Sequence, residues 1–443
     1  MPRPNLRFAS HHRAVALTVG AWLAVTAAPA LAQQHPLADE IDRAVAQVTP
    51  KVVAWRRDFH EHPELSNRET RTAKIVADHL RSLGLEVREG VARTGVVAVL
   101  KGGKPGRVVA LRADMDALPV TEEVDLPFKS TVQATFAGQT VGVMHACGHD
   151  AHTAMLMGVA EVLTGLRAQL PGTVKFIFQP AEEGSSSGEA GGAKVMVAEG
   201  ALENPTVNAI FGLHVWPEEP GKISYKPGGA MSASDGLKIV VKGRQSHGAQ
   251  PWRGVDPIVV AAQIVSGIQS ITARQTDITV APAVVTIGTI NGGIRANIIP
   301  DSVVMTGTIR TFDEAMRKDV HLRIRRTAEK IAEASGATAL VTITIGTNVL
   351  WNDVALTQQM GATLRRVATK VNPNAVWMPS EDFPFFTEKI PGLYVFLGIN
   401  KPGVSADDAA PNHSTKFFVN EDALPTGVRT LASLAVDYLN SAK

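Results

Sequence analysis

The chain has 443 residues, of which 45% are hydrophobic, 19% charged and 5% aromatic, a balance that excludes a disordered tail, a collagen-like fibre and a small disulfide scaffold. Single cores stop growing beyond about 250–300 residues, so two or three domains are expected. The formal net charge is +2, and loss of Arg3, Arg7 and Arg13 with a leader would bring it close to neutral, so no nucleic-acid partner is expected.

Residues 1–13 are basic and lack acids, 14–28 are mostly Ala, Val and Leu, and Ala30-Leu31-Ala32 precedes Gln33. This is the pattern of a secretory signal peptide over 1–32. The apolar run is shorter than the roughly 20 residues a spanning helix needs. The pattern predicts an exported protein, periplasmic or secreted, with no membrane contact after cleavage. Cys147 is the only cysteine, so no internal disulfide can form in that oxidising setting.

A first helix is predicted over 37–58. His60 and His62 follow it next to Pro63 and read as an exposed helix terminus. Ser66 and Glu69 form a capping-box pattern for a second helix, with Val76, Leu80 and Leu83 at helical spacing and Gly84 as its stop. Gly102-Gly-Lys-Pro-Gly106 resembles a phosphate loop only in composition and reads as a turn. Apolar runs at 107–111, 174–178 and 209–213 alternate with helical stretches at 150–168 and 190–200, the texture of a three-layer α/β domain on a mostly parallel sheet.

From about residue 228 the pattern changes. Runs at 237–242, 280–290 and 298–310, with amphipathic helices at 255–273 and 313–335, predict an inserted α+β domain over 228–345. The segment 346–443, with a helix at 353–370, a strand at 393–398 and a helix at 421–441, should complete the catalytic domain begun by 33–227.

Ligands of open α/β sheets lie beyond the carboxyl ends of strands. Three predicted strands run there into polar residues: Arg112-Ala-Asp114-Met-Asp116, Gln179-Pro-Ala-Glu182-Glu183-Gly184 and His214-Val-Trp216. The strongest signal is Met144-His145-Ala-Cys147-Gly-His149-Asp150-Ala-His152, three histidines around the lone thiol. A lone cysteine is often a small buried hydrophobe, and one beside histidine can be a protease nucleophile. A chain that turns at Gly148 can instead bring Cys147 and His149 to one metal ion, and a single thiolate favours an open catalytic site over a closed structural one. Successive side chains beyond a strand end diverge, so one of Glu182 and Glu183 can bind metal while the other faces a metal-activated water and takes its proton. That is hydrolytic chemistry.

At these residues the sequence resembles the metallopeptidase family of aminoacylases, hippurate hydrolases and indole-acetyl-amino-acid hydrolases, which are co-catalytic dinuclear amidohydrolases. The likeness spans about 45–440 and rests on Asp114-Met-Asp116-Ala-Leu-Pro, His145-Ala-Cys147-Gly-His149-Asp150, Pro180-Ala-Glu182-Glu183-Gly, Gly212-Leu-His214, Ser246-His247-Gly-Ala, Gly292-Gly-Ile-Arg295-Ala-Asn297 and Glu381-Asp382-Phe383. It implies two divalent metal ions per subunit (zinc, manganese, cobalt or nickel), with Cys147 bridging, His149 and His214 on one ion, and Glu183 and His413 on the other. It implies Glu182 as general base, Asp116 as a carboxylate behind the ligands, and Asp114, Asp150 and His152 shaping the site. The inserted domain would be a lid and dimerisation domain, making a homodimer or higher homo-oligomer. His247 would reach a partner's site to stabilise the oxyanion, and Arg295 and Asn297 would hold the substrate carboxylate. The implied reaction is cleavage of an N-acyl amino acid, a small-molecule substrate. The alternatives are a carboxypeptidase or dipeptidase on the same scaffold and a non-catalytic binding protein for amino-acid derivatives. Thr415 stands where a proline is common in the family, and Trp252 where a histidine is common.

Overall fold

The computed structural model describes residues 37–185 and 188–441, so the expected leader over 1–32 lies outside the described residues. Among the described residues no helix is long and apolar enough to cross a membrane.

Helix α1 (Ala38–Glu61) buries Ile41, Val45, Val48, Val52 and Phe59 along one stripe. It runs three residues past the predicted end, which carries His60 onto the buried face. His60 is therefore not an exposed terminus: Nδ1 lies 2.8 Å from Asp150 Oδ2 and Nε2 3.0 Å from Glu122 Oε1, and only His62 is exposed. Helix α2 (Thr70–Ser82) ends at Gly84, whose φ of +72° suits glycine, as predicted. Its start differs from the predicted capping box. Glu64 accepts the amides of Arg71 and Thr72 at 3.0 and 2.8 Å, while Ser66 Oγ donates to Asp116 at 2.7 Å. An acid a few residues upstream supplies what a serine cap would have given.

The main sheet comprises β1 (Glu86–Val91), β2 (Gly95–Lys101), β3 (Lys104–Asp114), β4 (Pro171–Gln179), β5 (Ala209–Trp216), β6 (Ile223–Ser224), β11 (Val371–Asn372) and β12 (Gly392–Gly398). Their order is β1-β2-β4-β3-β5-β12-β6-β11. The central four strands, β4-β3-β5-β12, are parallel, and β1 and β2 add antiparallel at one edge. Side chains alternate between two cores: Phe176, Phe178, Phe211 and Val395 pack with α1, α3 (His149–Gly165) and α8 (Leu424–Asn440), whereas Ile177, Ile210, Tyr394 and Phe396 pack with Met196 of α4 (Gly192–Ala198) and Phe386. Both faces are covered, which explains why the central strands read as continuous apolar runs. Of the expected turn at 102–106 only Gly102-Gly103 is one, between β2 and β3, with Gly102 N bonded to Gly172 O at 2.8 Å; Lys104-Pro-Gly106 already belongs to β3.

The segment from Gly228 builds a second sheet from β7 (Ala233–Lys242), β8 (Ala283–Gly292), β9 (Ser302–Thr311) and β10 (Thr338–Ile345), antiparallel in the order β8-β9-β7-β10. Helices α5 (Pro257–Arg274) and α6 (Glu314–Ala334) cover one face over a separate core of Ile239, Ile264, Ile268, Met305, Val320 and Ile324. Asp256 and Asp313 cap them through the amides of Ile258 and Met316, at 2.9 and 2.7 Å. The two chain passages into and out of this sheet, Gly228–Met231 and Leu350–Asn352, pair antiparallel. Helix α7 (Val354–Val367) returns the chain to the main sheet.

Candidate active site

Four segments meet at the carboxyl edge of the parallel strands. Strand β3 ends at Asp114 and continues to Asp116; β4 ends at Gln179 before Glu182 and Glu183; β5 carries His214; and α3 opens at His149. Gly148 makes the turn at φ +86°, and a Cβ there would lie 2.3 Å from Val215 Cγ2, so glycine is required both by conformation and by space. A late loop closes the site: His413 N donates to Ala146 O at 2.8 Å, and Asn412 Nδ2 lies 3.6 Å from Cys147 Sγ.

Potential ligand atoms of Cys147, His149 and His214 lie within 4.8 Å of one another, as do those of Cys147, Glu183 and His413. Cys147 is common to both groups. His214 Nδ1 donates to Val215 O at 2.6 Å, which leaves the Nε2 lone pair facing Cys147 Sγ at 3.4 Å. His149 is fully buried, yet neither ring nitrogen makes a hydrogen bond with the described residues; Nδ1 lies 3.3 Å from Asp116 Oδ1. His413 Nε2 is 3.0 Å from Glu183 Oε1. A buried imidazole whose nitrogens make no hydrogen bond, beside carboxylates, and a lone pair aimed at a sulfur fit a borderline-soft divalent cation. The electrostatics agree. Cys147 and Glu183 push His413 up to about 10, and burial, with Glu381, Glu183 and Asp382 nearby, pushes Glu182 well above the usual carboxylate range. Around His413 and Glu182 the site favours positive charge, whereas burial, with His152 beside it, holds His214 well below the ordinary imidazole value, so that its ring stays neutral as a metal ligand must.

Behind these groups lies a second layer. His152 Nε2 accepts Val215 N at 2.8 Å, so Nδ1 carries the proton and donates to Asp114 Oδ1 at 2.5 Å. Burial opposes ionisation of Asp114, but His149, Arg112 and His152 hold its carboxyl well below the ordinary value. Asp116 accepts the amides of Glu182 and Glu183, and Asp150 turns away toward Arg56, whose Nε is 2.9 Å from its Oδ2. Arg112, without solvent access, donates to Gln179, Asp114, Tyr394, Glu381 and Asp382.

The cavity above has a volume of about 740 Å³. Its floor includes Cys147, Glu182, Glu183, His214 and His413, and the second sheet supplies a wall of Val284, Thr286, Thr308 and Arg310. His247, Arg295 and Asn297 do not line it. They are exposed on a short separate ribbon, where His247 pairs with Ile298 and Gly248 N bonds Asn297 O at 2.8 Å. The sequence reading did not pick out Arg310, Arg112 or Glu69 as parts of the site. Arg112 could have been found as a charge inside an apolar strand; Arg310 gives only the ordinary alternation of a half-exposed strand.

Soft and hard donors gathered at one sheet edge, with a carboxylate to spare, make the protein a metal-dependent hydrolase. Residues 110–437 match peptidase family M20/M25/M40, and the chain belongs to that family, whose chemistry is hydrolysis of amide bonds. Thermostable carboxypeptidase 1 of Saccharolobus solfataricus is 42% identical over 409 residues, covering 91% of this chain and 99% of that one. N-acetylcysteine deacetylase of Bacillus subtilis is 38% identical over 395 residues, covering 89% and 98%. A crystal structure from Bacillus subtilis, described as a dinuclear metal binding peptidase from the M20 family, has a TM-score of 0.76 at 37% identity and covers 90% of this chain and 100% of its own.

Proposed function

We propose that the protein hydrolyses the amide bond of N-acyl amino acids, with Glu182 as general base. The observation that carries this reading is the pair of ligand groups sharing Cys147, with Glu182 beside them. Cys147, His149 and His214 would hold one divalent ion, and Cys147, Glu183 and His413 a second. Such ions lower the pKa of bound water toward about 7 and polarise a carbonyl. Asp382 N donates to Glu182 Oε1 at 3.3 Å and holds that carboxylate at the cavity floor. From there Glu182 takes a proton from water and returns it to the departing nitrogen.

The lining favours a neutral acyl group over a free amino terminus. Of the acids that line the cavity among the described residues, Glu381 is engaged by Arg112 and Tyr394, Glu183 stands against His413, and Glu182 is the base. None remains for a substrate ammonium, and Met231, Val284, Thr286 and Thr308 offer an uncharged wall. Arg310 supplies a cation. Its Nη1 donates to Ser380 Oγ at 2.9 Å, and among the described residues no carboxylate pairs with it, so it suits the substrate carboxylate. This favours N-acyl substrates over dipeptides. The exposed His247, Arg295 and Asn297 are consistent with action from a second copy in a homodimer. The basic and apolar pattern over 1–32 supports export.

The test is turnover of N-acetyl and N-benzoyl amino acids and of dipeptides by the metal-loaded protein and its Glu182→Gln variant. The variant should lose about 10²–10⁴-fold in kcat with metal content unchanged. Near-wild-type turnover would remove Glu182 from the chemistry, and a preference for dipeptides would overturn the acyl assignment.

A further inference from the structure

Glu182 and Glu183 can serve two different tasks only if the turn that carries them is fixed, and no strand or helix fixes it. Ala181 sits at φ +51° and Gly184 at φ +80°. The left-handed conformation is unfavourable for a residue with a Cβ, so Ala181 needs compensating contacts.

Those contacts come from two buried acids. Asp116 accepts Glu182 N on Oδ1 at 3.1 Å and Glu183 N on Oδ2 at 3.0 Å. The preceding amide, Ala181 N, goes to Glu69 Oε1 at 2.9 Å. Three consecutive amides thus end on two carboxylates that lie under the turn, outside the cavity. Glu69 is fully buried and ties in two further segments: Asn67 N donates to the same Oε1 at 2.9 Å, and Thr94 Oγ1 to Oε2 at 2.5 Å. The Glu69 carboxylate accepts no amide of α2, although it stands at that helix's N-cap. Burial and the charge of Asp116 push its carboxyl up to about 7, a cost that a purely local cap would not require.

Resting on the proposed reading of the site, we propose that Glu69 is a positioning residue for the hydrolytic reaction: with Asp116 it holds the main chain of Ala181–Glu183 so that the Glu182 carboxylate faces the substrate and that of Glu183 faces its ion. Glu69 touches neither substrate nor metal. It acts through the Ala181 amide.

The experiment uses the metal-loaded full chain with Glu69→Ala, Glu69→Gln and Glu69→Asp, reading kcat and KM on an N-acyl amino acid and, separately, the affinity for each of two metal equivalents by chelator competition. Glu69→Ala should lower kcat about 10–100-fold, change KM less than about 3-fold, and weaken one of the two metal equivalents about 10–100-fold. Glu69→Gln keeps an acceptor for both amides and a donor for Thr94, and should restore most of kcat and metal affinity. Glu69→Asp keeps the charge but is too short to span both segments. It should fall between the two, and it decides the matter if the alanine variant does not fold. Wild-type kcat and metal affinity in a folded Ala or Asp variant would overturn the assignment, as would a Gln variant as impaired as Ala. If the wild type itself cleaves no acyl amino acid, the catalytic reading fails, while the metal-affinity comparison still tests the positioning role.

Discussion

Arg112 and Arg310 are both cations beside the cavity, but they do opposite work. Arg112 is buried against Asp114, Glu381 and Asp382, and desolvation of the guanidinium is offset by that surrounding charge, which holds its pKa well above the ordinary value. Arg112→Met would strand those acids in the core and should cost about 3–5 kcal/mol of stability by denaturant unfolding. Arg310 has an uncommitted charge. Arg310→Met should leave the fold intact and raise KM for N-acyl amino acids about 10–100-fold, the worth of one charge-assisted hydrogen bond, while the corresponding C-terminal amides bind as before. Equal KM changes for acid and amide would remove Arg310 from carboxylate recognition. At this scale the sequence is informative where ligands lie close together: Cys147, His149 and the Glu182-Glu183 pair stand out because a turn and a strand end confine them locally. Glu69 and Arg310 are legible only once distant segments are brought together, and His413 enters the sequence reading through the family likeness, not through its spacing. Glu69 is further disguised by Ser66, whose spacing imitates a cap.

Secondary structure follows the same division. The parallel strands and long helices are readable because burial imposes continuous apolar runs or a 3.6-residue stripe. The hairpin β1–β2 is not, since β1 is an edge strand, Glu-Val-Arg-Glu-Gly-Val, with mostly exposed residues. His60 shows the effect of a boundary: three more residues of α1 turn a surface histidine into a buried link among Asp150, Glu122 and Arg56. In the second domain, the start of β7 is joined to α6 through Asp235, whose carboxylate takes Arg317 Nη2 at 2.5 Å, His321 Nε2 at 2.8 Å and Gly346 N at 3.1 Å. Burial opposes its ionisation, but Arg317 and His321 hold the carboxyl well below its ordinary 3.8. A depressed folded-state value means that Asp235 adds stability above about pH 4 and that this contribution is lost as pH falls through the folded value. Asp235→Asn should therefore lower stability by about 3–5 kcal/mol at pH 7 and flatten the acid limb of the stability profile. Unchanged acid unfolding would show that Asp235 is not the linking charge.

Among the described residues, the cavity belongs neither to the main sheet nor to the second sheet alone. The carboxyl edge of the main sheet and the turns and loop beyond it give the ligands and the base; the second sheet, with its own core, gives Arg310 and most of the neutral wall. The change of texture near residue 228 marks this second sheet in the sequence, because β-branched alternation replaces continuous apolar strands. Which face of it looks toward the ligands is set by packing: α5 and α6 cover Ile239, Met305 and Ile309, so Thr308 and Arg310 must point the other way. The account as a whole depends on two ions sharing Cys147. Its most direct test is turnover of an N-acyl amino acid by chelated, folded protein as zinc, manganese, cobalt or nickel is added back in counted equivalents. Activity should be absent without metal and level off at two equivalents per chain. Full turnover by folded protein that elemental analysis finds free of metal would contradict it.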